Sequence, residues 1–160
     1  SSIFIAFFMA TNKMWQKIIL EKLKDKEYEL LSIKAKKYIL IVAVFGILIG
    51  LVSKHLLLFM SNETYMGVVS IIPVLLMGMF FYFLYTVISN IPFFHGNTVL
   101  MAIPAIIAAL LNIVLNFIFL PKYGYKFAAI TTSACYFLEF LIIYIICNRK
   151  YKIDIIFNAK

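Results

Sequence analysis

Long apolar stretches separated by short polar links form the dominant pattern along the chain. Four of them, at residues 38–59, 66–91, 99–120 and 127–147, are 22, 26, 22 and 21 residues long. Each reaches the roughly 20 residues with which an α-helix crosses about 30 Å of hydrocarbon. None alternates strictly between apolar and polar residues, as a membrane β-strand does. The pattern therefore predicts an all-α, polytopic membrane helix bundle with four full spans.

Two further segments precede the first full span. Residues 1–10 are apolar but too short to cross a bilayer, and they lack the basic start and cleavage site of a signal peptide. We interpret them as the end of a truncated transmembrane helix, so that an N-terminal part of the protein is expected upstream. Residues 11–37 are basic and predict a cytoplasmic amphipathic linker.

The linker contains helix-forming residues throughout, and residues 15–37 include no glycine or proline. Its apolar residues fall roughly on one helical face, which predicts an interfacial elbow helix on the inner leaflet. A solvated, charged helix is the alternative interpretation. The predicted face consists of Trp15, Ile18, Ile19, Leu23, Leu30 and Ile33.

Composition narrows the class of protein. Hydrophobic residues make up 64% of the chain and charged residues 14%, whereas a soluble domain has about 25% charged residues. Too little polar surface remains to cover a water-soluble fold, which excludes a cytosolic globular enzyme. The two histidines and two cysteines are scattered, and no nucleotide-binding, metal-binding or nucleophile motif is present. We therefore expect no catalytic site, metal or cofactor.

The distribution of charge predicts the orientation. Four crossings place residues 11–37 and the basic tail at residues 148–160 on one side of the membrane, and 12 of the 15 basic residues lie there. The positive-inside rule assigns this side, with the C-terminus, to the cytoplasm. These residues would also attract anionic lipid headgroups, which explains the net charge of +8 without a nucleic-acid partner.

Small and polar residues form stripes along the third and fourth spans. Ala105, Ala109, Asn112 and Asn116 recur on one helical face, and Glu139 lies near the middle of the last span. Lipid favours neither type of side chain, so we expect these stripes to face the bundle interior. The alanines indicate helix packing. The asparagines could bond between helices or line a path for a polar solute, and Glu139 could hold helices together or carry a proton.

The first span offers two more candidates. Gly46 and Gly50 have the small-xxx-small spacing of closely packed helices. Lys54 and His55 lie near the predicted outer end of the span. The lysine could simply extend to the headgroups, or both residues could give a cationic lining for an anionic solute.

The third and fourth spans contain a run that is similar to a known family. An Asn-x-x-x-Asn helix end leads into a Pro-x-x-Gly turn and a helix that opens with small residues; the matching positions are Asn112, Asn116, Pro121, Gly124, Ala128 and Ala129. This run resembles the last hairpin of bacterial polysaccharide exporters, the O-antigen flippases of the multidrug/oligosaccharidyl-lipid/polysaccharide superfamily. One departure is Phe127, where the family often has glycine.

The resemblance implies the C-terminal part of a two-lobed transporter in the bacterial cytoplasmic membrane. Its implied activity is to flip an oligosaccharide linked to undecaprenyl pyrophosphate, an O-antigen or capsule repeat unit, by alternating access. Asn112, Asn116 and Glu139 would then face the lumen, with Lys54 and His55 as outer cationic contacts. The implied partners are the lipid bilayer, the lipid-linked oligosaccharide and the missing N-terminal half, and a polysaccharide polymerase stays open as a further partner.

Two other classes stay open. A multidrug or cation antiporter of the same superfamily would be expected to have a lumen rich in acidic residues, whereas the spans contain a single glutamate. A membrane-embedded enzyme of glycan assembly would need catalytic residues in a sizeable outer loop, and the predicted outer loops are only a few residues long.

Overall fold

The computed structural model describes residues 2–60, 70–153 and 155–156. Within these ranges the chain forms five helices, α1 (Ser2–Lys24), α2 (Tyr28–Met60), α3 (Ile72–Phe94), α4 (Thr98–Tyr123) and α5 (Tyr125–Tyr151). Helices α2 to α5 each contain a segment long and apolar enough to cross a membrane. The predicted fold class, an all-α polytopic membrane helix bundle, is confirmed.

Helix α3 is central to the bundle. It packs most extensively against α5 and also contacts α1, α2 and α4, while α4 packs mainly on α5. The Ser133 hydroxyl of α5 donates a hydrogen bond to the carbonyl oxygen of Val74 in α3 at 2.7 Å, which ties the two helices together. Helices α3, α4 and α5 therefore form one tightly packed group, and the α1–α2 pair packs against this group through α3.

Glycine ends two helices in the left-handed region of the backbone. Gly96 (φ 69°) ends α3, where the amide of Asn97 donates to the carbonyl of Pro92 at 2.9 Å. Gly124 (φ 72°) is the only residue between α4 and α5. A side chain is strained at these angles, so glycine allows reversals short enough to make the helices antiparallel.

The elbow region differs from the prediction, because a turn divides residues 15–37 between α1 and α2. The amide of Lys26 donates to the carbonyl of Leu23 at 3.3 Å and that of Glu27 to the carbonyl of Lys22 at 3.0 Å, the pattern of a Schellman helix end. Lys26 adopts the left-handed conformation (φ 57°) that glycine usually supplies. The Glu27 carboxylate, hydrogen-bonded to the Lys22 ammonium, raises the pKa of Lys22. Absence of glycine and proline therefore did not make this helix continuous.

The predicted membrane-facing residues of the elbow are only partly exposed. Trp15 and Ile19 are 2% and 0% exposed, inside the protein core, whereas Leu30 and Ile33 after the turn are 46% and 45% exposed. The reversal gives the apolar face of α1 a protein partner in α2 and α3. The turn interrupts the regular spacing of about 3.6 residues per helical turn. Apolar residues before it and after it therefore do not lie on one continuous helical face. The prediction of one lipid-facing stripe was wrong.

Stacked rings join the first three helices. Trp15 of α1 stacks on Tyr38 of α2 with ring centroids 5.2 Å apart, and Tyr38 meets Phe83 of α3 edge to face at 5.1 Å. The Tyr38 hydroxyl donates to Thr11 Oγ1 at 3.0 Å. These contacts hold α1 against the bundle along residues 11–15, within the predicted linker. Helix α1 is also continuous through residue 10, where the truncated span was expected to end.

The C-terminal tail returns to the start of α2. Lys152 (φ 53°) ends α5, and the buried Ser32 hydroxyl donates to the carbonyl oxygen of Ile155 at 3.3 Å. His95, in the α3–α4 turn, stacks on Tyr151 with centroids 4.3 Å apart. The α1–α2 turn, the α3–α4 turn, residues 149–153 and residues 155–156 therefore share one end of the molecule, which we call the basic end.

Candidate functional site

A cavity of about 480 Å³ lies between α3, α4 and α5. Its volume falls within the roughly 300–1,000 Å³ typical of small-molecule pockets. The polar groups of this three-helix cavity come from Tyr82, Tyr85, Asn112, Thr132, Tyr136 and Glu139. Polar side chains from three apolar helices thus meet in one space, where hydrocarbon alone would give them no partner.

Glu139 is the charged residue of the cavity. Its side chain is 4% exposed, and no hydrogen bond to its carboxylate is found among the described residues. The phenol groups of Tyr82, Tyr85 and Tyr136 line the same cavity as this carboxyl. Neither lysine, arginine nor histidine is among the described residues that line the cavity. Glu139 is therefore a buried acid with no cationic partner in the described part of the chain, which is costly unless it is neutral or meets a ligand.

The two asparagines belong to a chain of hydrogen bonds between α4 and α5. The Asn116 amide donates to Asn112 Oδ1 at 2.8 Å, and the Asn112 amide donates to Thr132 Oγ1 at 3.3 Å. The Thr131 hydroxyl donates to Asn116 Oδ1 at 2.7 Å. Asn112 also lines the three-helix cavity, whereas Asn116 is not among the lining residues. Asn116 therefore bonds between helices, whereas Asn112 both bonds between helices and borders the cavity.

The alanines of the same stripe lie at the cavity wall. Ala105 and Ala109 both line the three-helix cavity, and neither is buried. Their small side chains leave open space between α4 and its neighbours at this level. The buried alanine of this wall is Ala108, which is 5% exposed.

The predicted cationic contacts lie apart from the cavity. His55 is exposed on α2, a helix that contributes no residue to the three-helix cavity. Lys54 belongs to α2, but its side chain lies outside the described part of the structure. The structure therefore does not bring His55 together with Asn112 or Glu139.

Gly46 and Gly50 line an apolar groove of about 520 Å³ between α2 and α3. A Cβ atom on Gly50 would lie 3.1 Å from Leu76 Cδ1, so this glycine makes a close interhelical contact. Gly46 borders the groove one helical turn earlier in α2. The pair thus marks the α2–α3 interface, with close packing at Gly50.

A second cavity of about 360 Å³ lies farther from the basic end, and its wall includes Leu75, Tyr125 and Ala128. Thr132 borders both cavities. Because Tyr125 and Ala128 precede Thr132 along α5 and Glu139 follows it, the two spaces succeed one another along this helix. The Asn112–Thr132 hydrogen bond lies where they meet.

The tyrosines of the cavity were not singled out by sequence reasoning as site residues. Tyr136 lies one helical turn before Glu139, and this spacing is the signal that could have identified it. Tyr82 and Tyr85 come from another helix, so their meeting with Glu139 depends on how α3 is rotated against α5. In the structure, α3 is oriented so that the ring of Tyr82 contacts the ring of Tyr136, with centroids 5.1 Å apart.

The arrangement suits binding better than metal chemistry. In the ranges 2–60, 70–153 and 155–156, no three metal-binding side chains lie together. The cavity instead offers aromatic faces, an amide, a hydroxyl and one carboxyl. No family model, curated protein or solved structure matches the chain.

Proposed function

We propose that this chain is part of a membrane transporter that moves the polar head of a lipid-linked oligosaccharide across the bacterial cytoplasmic membrane. The observation that carries the proposal is the three-helix cavity, a polar space beside a buried Glu139 within apolar spanning helices. Hydrocarbon penalises a sugar head by several kcal/mol for each polar group left without a partner. A polar route between helices removes that cost, while the lipid tail stays in the bilayer.

The lining of the cavity supports a sugar as cargo. Tyrosine rings present flat apolar faces with a polar edge, which match the C–H faces and the hydroxyl rim of a sugar ring. The Asn112 amide and the Thr132 hydroxyl can bond sugar hydroxyls, and the Glu139 carboxyl can accept hydrogen bonds from them. A mainly apolar wall with a few placed polar groups is the usual composition of a specific small-molecule site.

The packing supports a moving bundle. Alternating access requires that one group of helices rocks against another around a fixed site. Helix α3 separates the α1–α2 pair from α4 and α5, and the hydrogen bond between Asn112 and Thr132 lies where the two cavities meet. Because this bond joins α4 to α5, we propose that movement of α4 relative to α5 opens it, joins the two cavities and extends the route away from the basic end, whereas its closure confines the cargo to the three-helix cavity.

The exporter family and the undecaprenyl-pyrophosphate carrier rest on the sequence resemblance at residues 112–132. In the structure this run forms the end of α4, the Gly124 turn and the start of α5. It contributes Asn112 and Thr132 to the three-helix cavity. The family motif and the candidate site thus share residues, which supports reading both as parts of one transport device.

A flipping assay tests the proposal. The complete transporter that contains this chain is placed in liposomes with undecaprenyl pyrophosphate bearing a fluorescent oligosaccharide, and a membrane-impermeant reductant bleaches the outer leaflet. We expect the protein to move inner-leaflet label outward, and Asn112→Leu to slow this movement roughly tenfold or more, about 1.4 kcal/mol in the barrier. Asn148→Leu, at an exposed position of α5 outside the cavity, is the matched control and should behave as the unmodified chain does. Movement no faster than in protein-free liposomes would refute the proposal.

A second candidate, a multidrug or cation antiporter, is favoured by one observation. A carboxyl surrounded by Tyr82, Tyr85 and Tyr136 can bind an organic cation through charge and cation–π attraction. The same liposomes, tested with tetraphenylphosphonium in place of the labelled lipid, separate the two functions. Uptake of this cation without movement of the oligosaccharide would favour the antiporter.

A further inference from the structure

The three-helix cavity contains an acidic side chain and no basic one among the described lining residues. Glu139 is 4% exposed, and the residues that line the cavity include no lysine, arginine or histidine among those described. Described ion pairing occurs elsewhere, between Lys22 and Glu27 at the basic end. An ionised carboxylate in such a place is stable only with a positive partner, and leaving it unpaired costs several kcal/mol. A ligand that brings its own positive charge would supply that partner.

The aromatic residues around Glu139 suit the same charge. Tyr82 lies with its ring centroid 5.1 Å from that of Tyr136 and 6.0 Å from that of Tyr85. The Tyr85 hydroxyl donates to the carbonyl oxygen of Met101 at 2.8 Å, which fixes this ring and uses its proton. The fixed ring can still offer a ligand its face, which attracts ammonium groups, and its hydroxyl oxygen, which can accept a hydrogen bond.

The far end of the cavity offers different chemistry. Thr132 and Glu139 are seven residues apart on α5, which corresponds to about 10 Å along a helix. Asn112 joins Thr132 at the first position, so amide and hydroxyl groups lie there, two turns from the acid. A simple ammonium ion would use the acid and the rings alone, whereas a sugar with an amino group can reach both ends.

We infer that the three-helix cavity recognises a sugar bearing a free, positively charged amino group, with the ammonium at Glu139 and the ring hydroxyls toward Asn112 and Thr132. The inference rests on the proposed function, since it names the class of cargo head that the same cavity carries. An N-acetylated sugar has no charge to pair with the carboxylate and binds more weakly.

Ligand-dependent thermal unfolding tests the inference directly. The purified chain in detergent is heated with glucosamine, N-acetylglucosamine or glucose at equal concentrations. It carries Cys135→Ser because Cys135 lines the cavity, so that a thiol-reactive fluorogenic dye reports exposure of the buried Cys147 alone. We expect glucosamine alone to raise the midpoint. Glu139→Gln should abolish the shift, and Glu29→Gln, which removes an exposed carboxylate at the start of α2, should leave it intact. Equal shifts with the acetylated sugar, or no shift with any of the three, would overturn the inference.

A ring variant keeps the test decisive should Glu139→Gln fail to fold. Tyr136→Leu removes a ring from the cavity and should weaken glucosamine binding about threefold to thirtyfold, whereas Tyr136→Phe retains the ring and should bind almost as the unmodified chain does. Equal binding by the two variants would contradict recognition of the ammonium by the rings.

The flipping assay separates failure of this inference from failure of the proposed function. Labelled lipids carrying a free-amine or an N-acetylated sugar are compared in the same liposomes. Equal movement of both lipids would retain the transporter and reject the amine preference. Glucosamine binding that depends on Glu139, without movement of either lipid, would retain the ligand class and reject the flippase.

Discussion

Gly78 of α3 lies so close to Ser133 of α5 that a Cβ atom on Gly78 would be 2.5 Å from Ser133 Oγ and 2.9 Å from its Cα. Backbone, as well as side chain, would therefore have to move to admit even an alanine. Gly78→Ala should lower the free energy of unfolding by about 1–3 kcal/mol, the usual cost of overpacking. Denaturant titration in detergent micelles measures it.

Gly50→Ala is the matched control for that prediction. Its new methyl group would meet Leu76 Cδ1 at 3.1 Å, the far end of a flexible side chain that can turn aside. We expect a smaller loss of stability than for Gly78→Ala. A larger loss at Gly50 would show that α2 and α3, not α3 and α5, form the tightest contact.

The α1–α2 turn gives a prediction of the opposite sign. Lys26 carries a side chain at φ 57°, where a non-glycine residue pays about 1–2 kcal/mol. Lys26→Gly removes this strain and, after the greater flexibility of glycine in the unfolded chain is subtracted, should stabilise the protein by about 0.5–1 kcal/mol. Lys24→Gly, two residues earlier and still helical, should instead destabilise it by about 1 kcal/mol. Thermal midpoints that move in the same direction for both variants would contradict the turn geometry.

The asparagines should differ in access to water. Asn112 lines the three-helix cavity, whereas Asn116 is held between α4 and α5 by its bonds to Asn112 and Thr131. In a background with both native cysteines replaced by serine, Asn112→Cys should react with a charged, water-soluble maleimide faster than Asn116→Cys. Reaction rates in native membranes measure this difference. Faster reaction of Asn116→Cys than of Asn112→Cys would show that water reaches Asn116 and not the cavity beside Asn112.

Glu139 should make transport depend on pH. Protonation neutralises its carboxylate and removes the partner for a positively charged cargo, so binding of glucosamine should weaken as the pH falls. We expect the unmodified chain and Glu29→Gln to share this dependence and Glu139→Gln to lose it. Transport of the lipid that carries the free-amine sugar is measured between mildly acidic and neutral pH, where the sugar amine keeps its proton. Identical profiles for Glu139→Gln and the unmodified chain would exclude Glu139 as the titrating group.

The spanning helices could be predicted from the sequence because length and hydropathy alone decide them. The apolar run at residues 99–120 lies within α4, and that at residues 127–147 lies within α5. The turn at Lys26 could not be predicted, since a lysine gives no local signal for the left-handed conformation. This turn also changes the surroundings of α1: Trp15 lies in the protein core, whereas the sequence predicted that it would lie at the membrane surface.

The sequence predicted some residues of the candidate site, but not how the residues of α3 meet them. Helical spacing placed Asn112 on an inward stripe and marked Glu139 as exceptional, and both line the three-helix cavity. Helical spacing also placed Tyr82 on a looser inward stripe, but its position beside Glu139 could not be predicted, because that position depends on the rotation of α3. Gly78 lies on the same stripe, but its close approach to Ser133 could not be predicted for a similar reason, because the partner belongs to another helix.

Blocking the three-helix cavity tests the central claim, that the cargo head passes through this space, most directly. Ala105→Phe would fill the cavity from its α4 wall, and Ala134→Phe, at an exposed position of α5 outside the cavity, adds the same ring elsewhere. In the liposome flipping assay we predict that Ala105→Phe slows movement of the labelled oligosaccharide lipid roughly tenfold or more, while Ala134→Phe leaves the rate unchanged. Equal rates for Ala105→Phe and the unmodified chain would contradict the account.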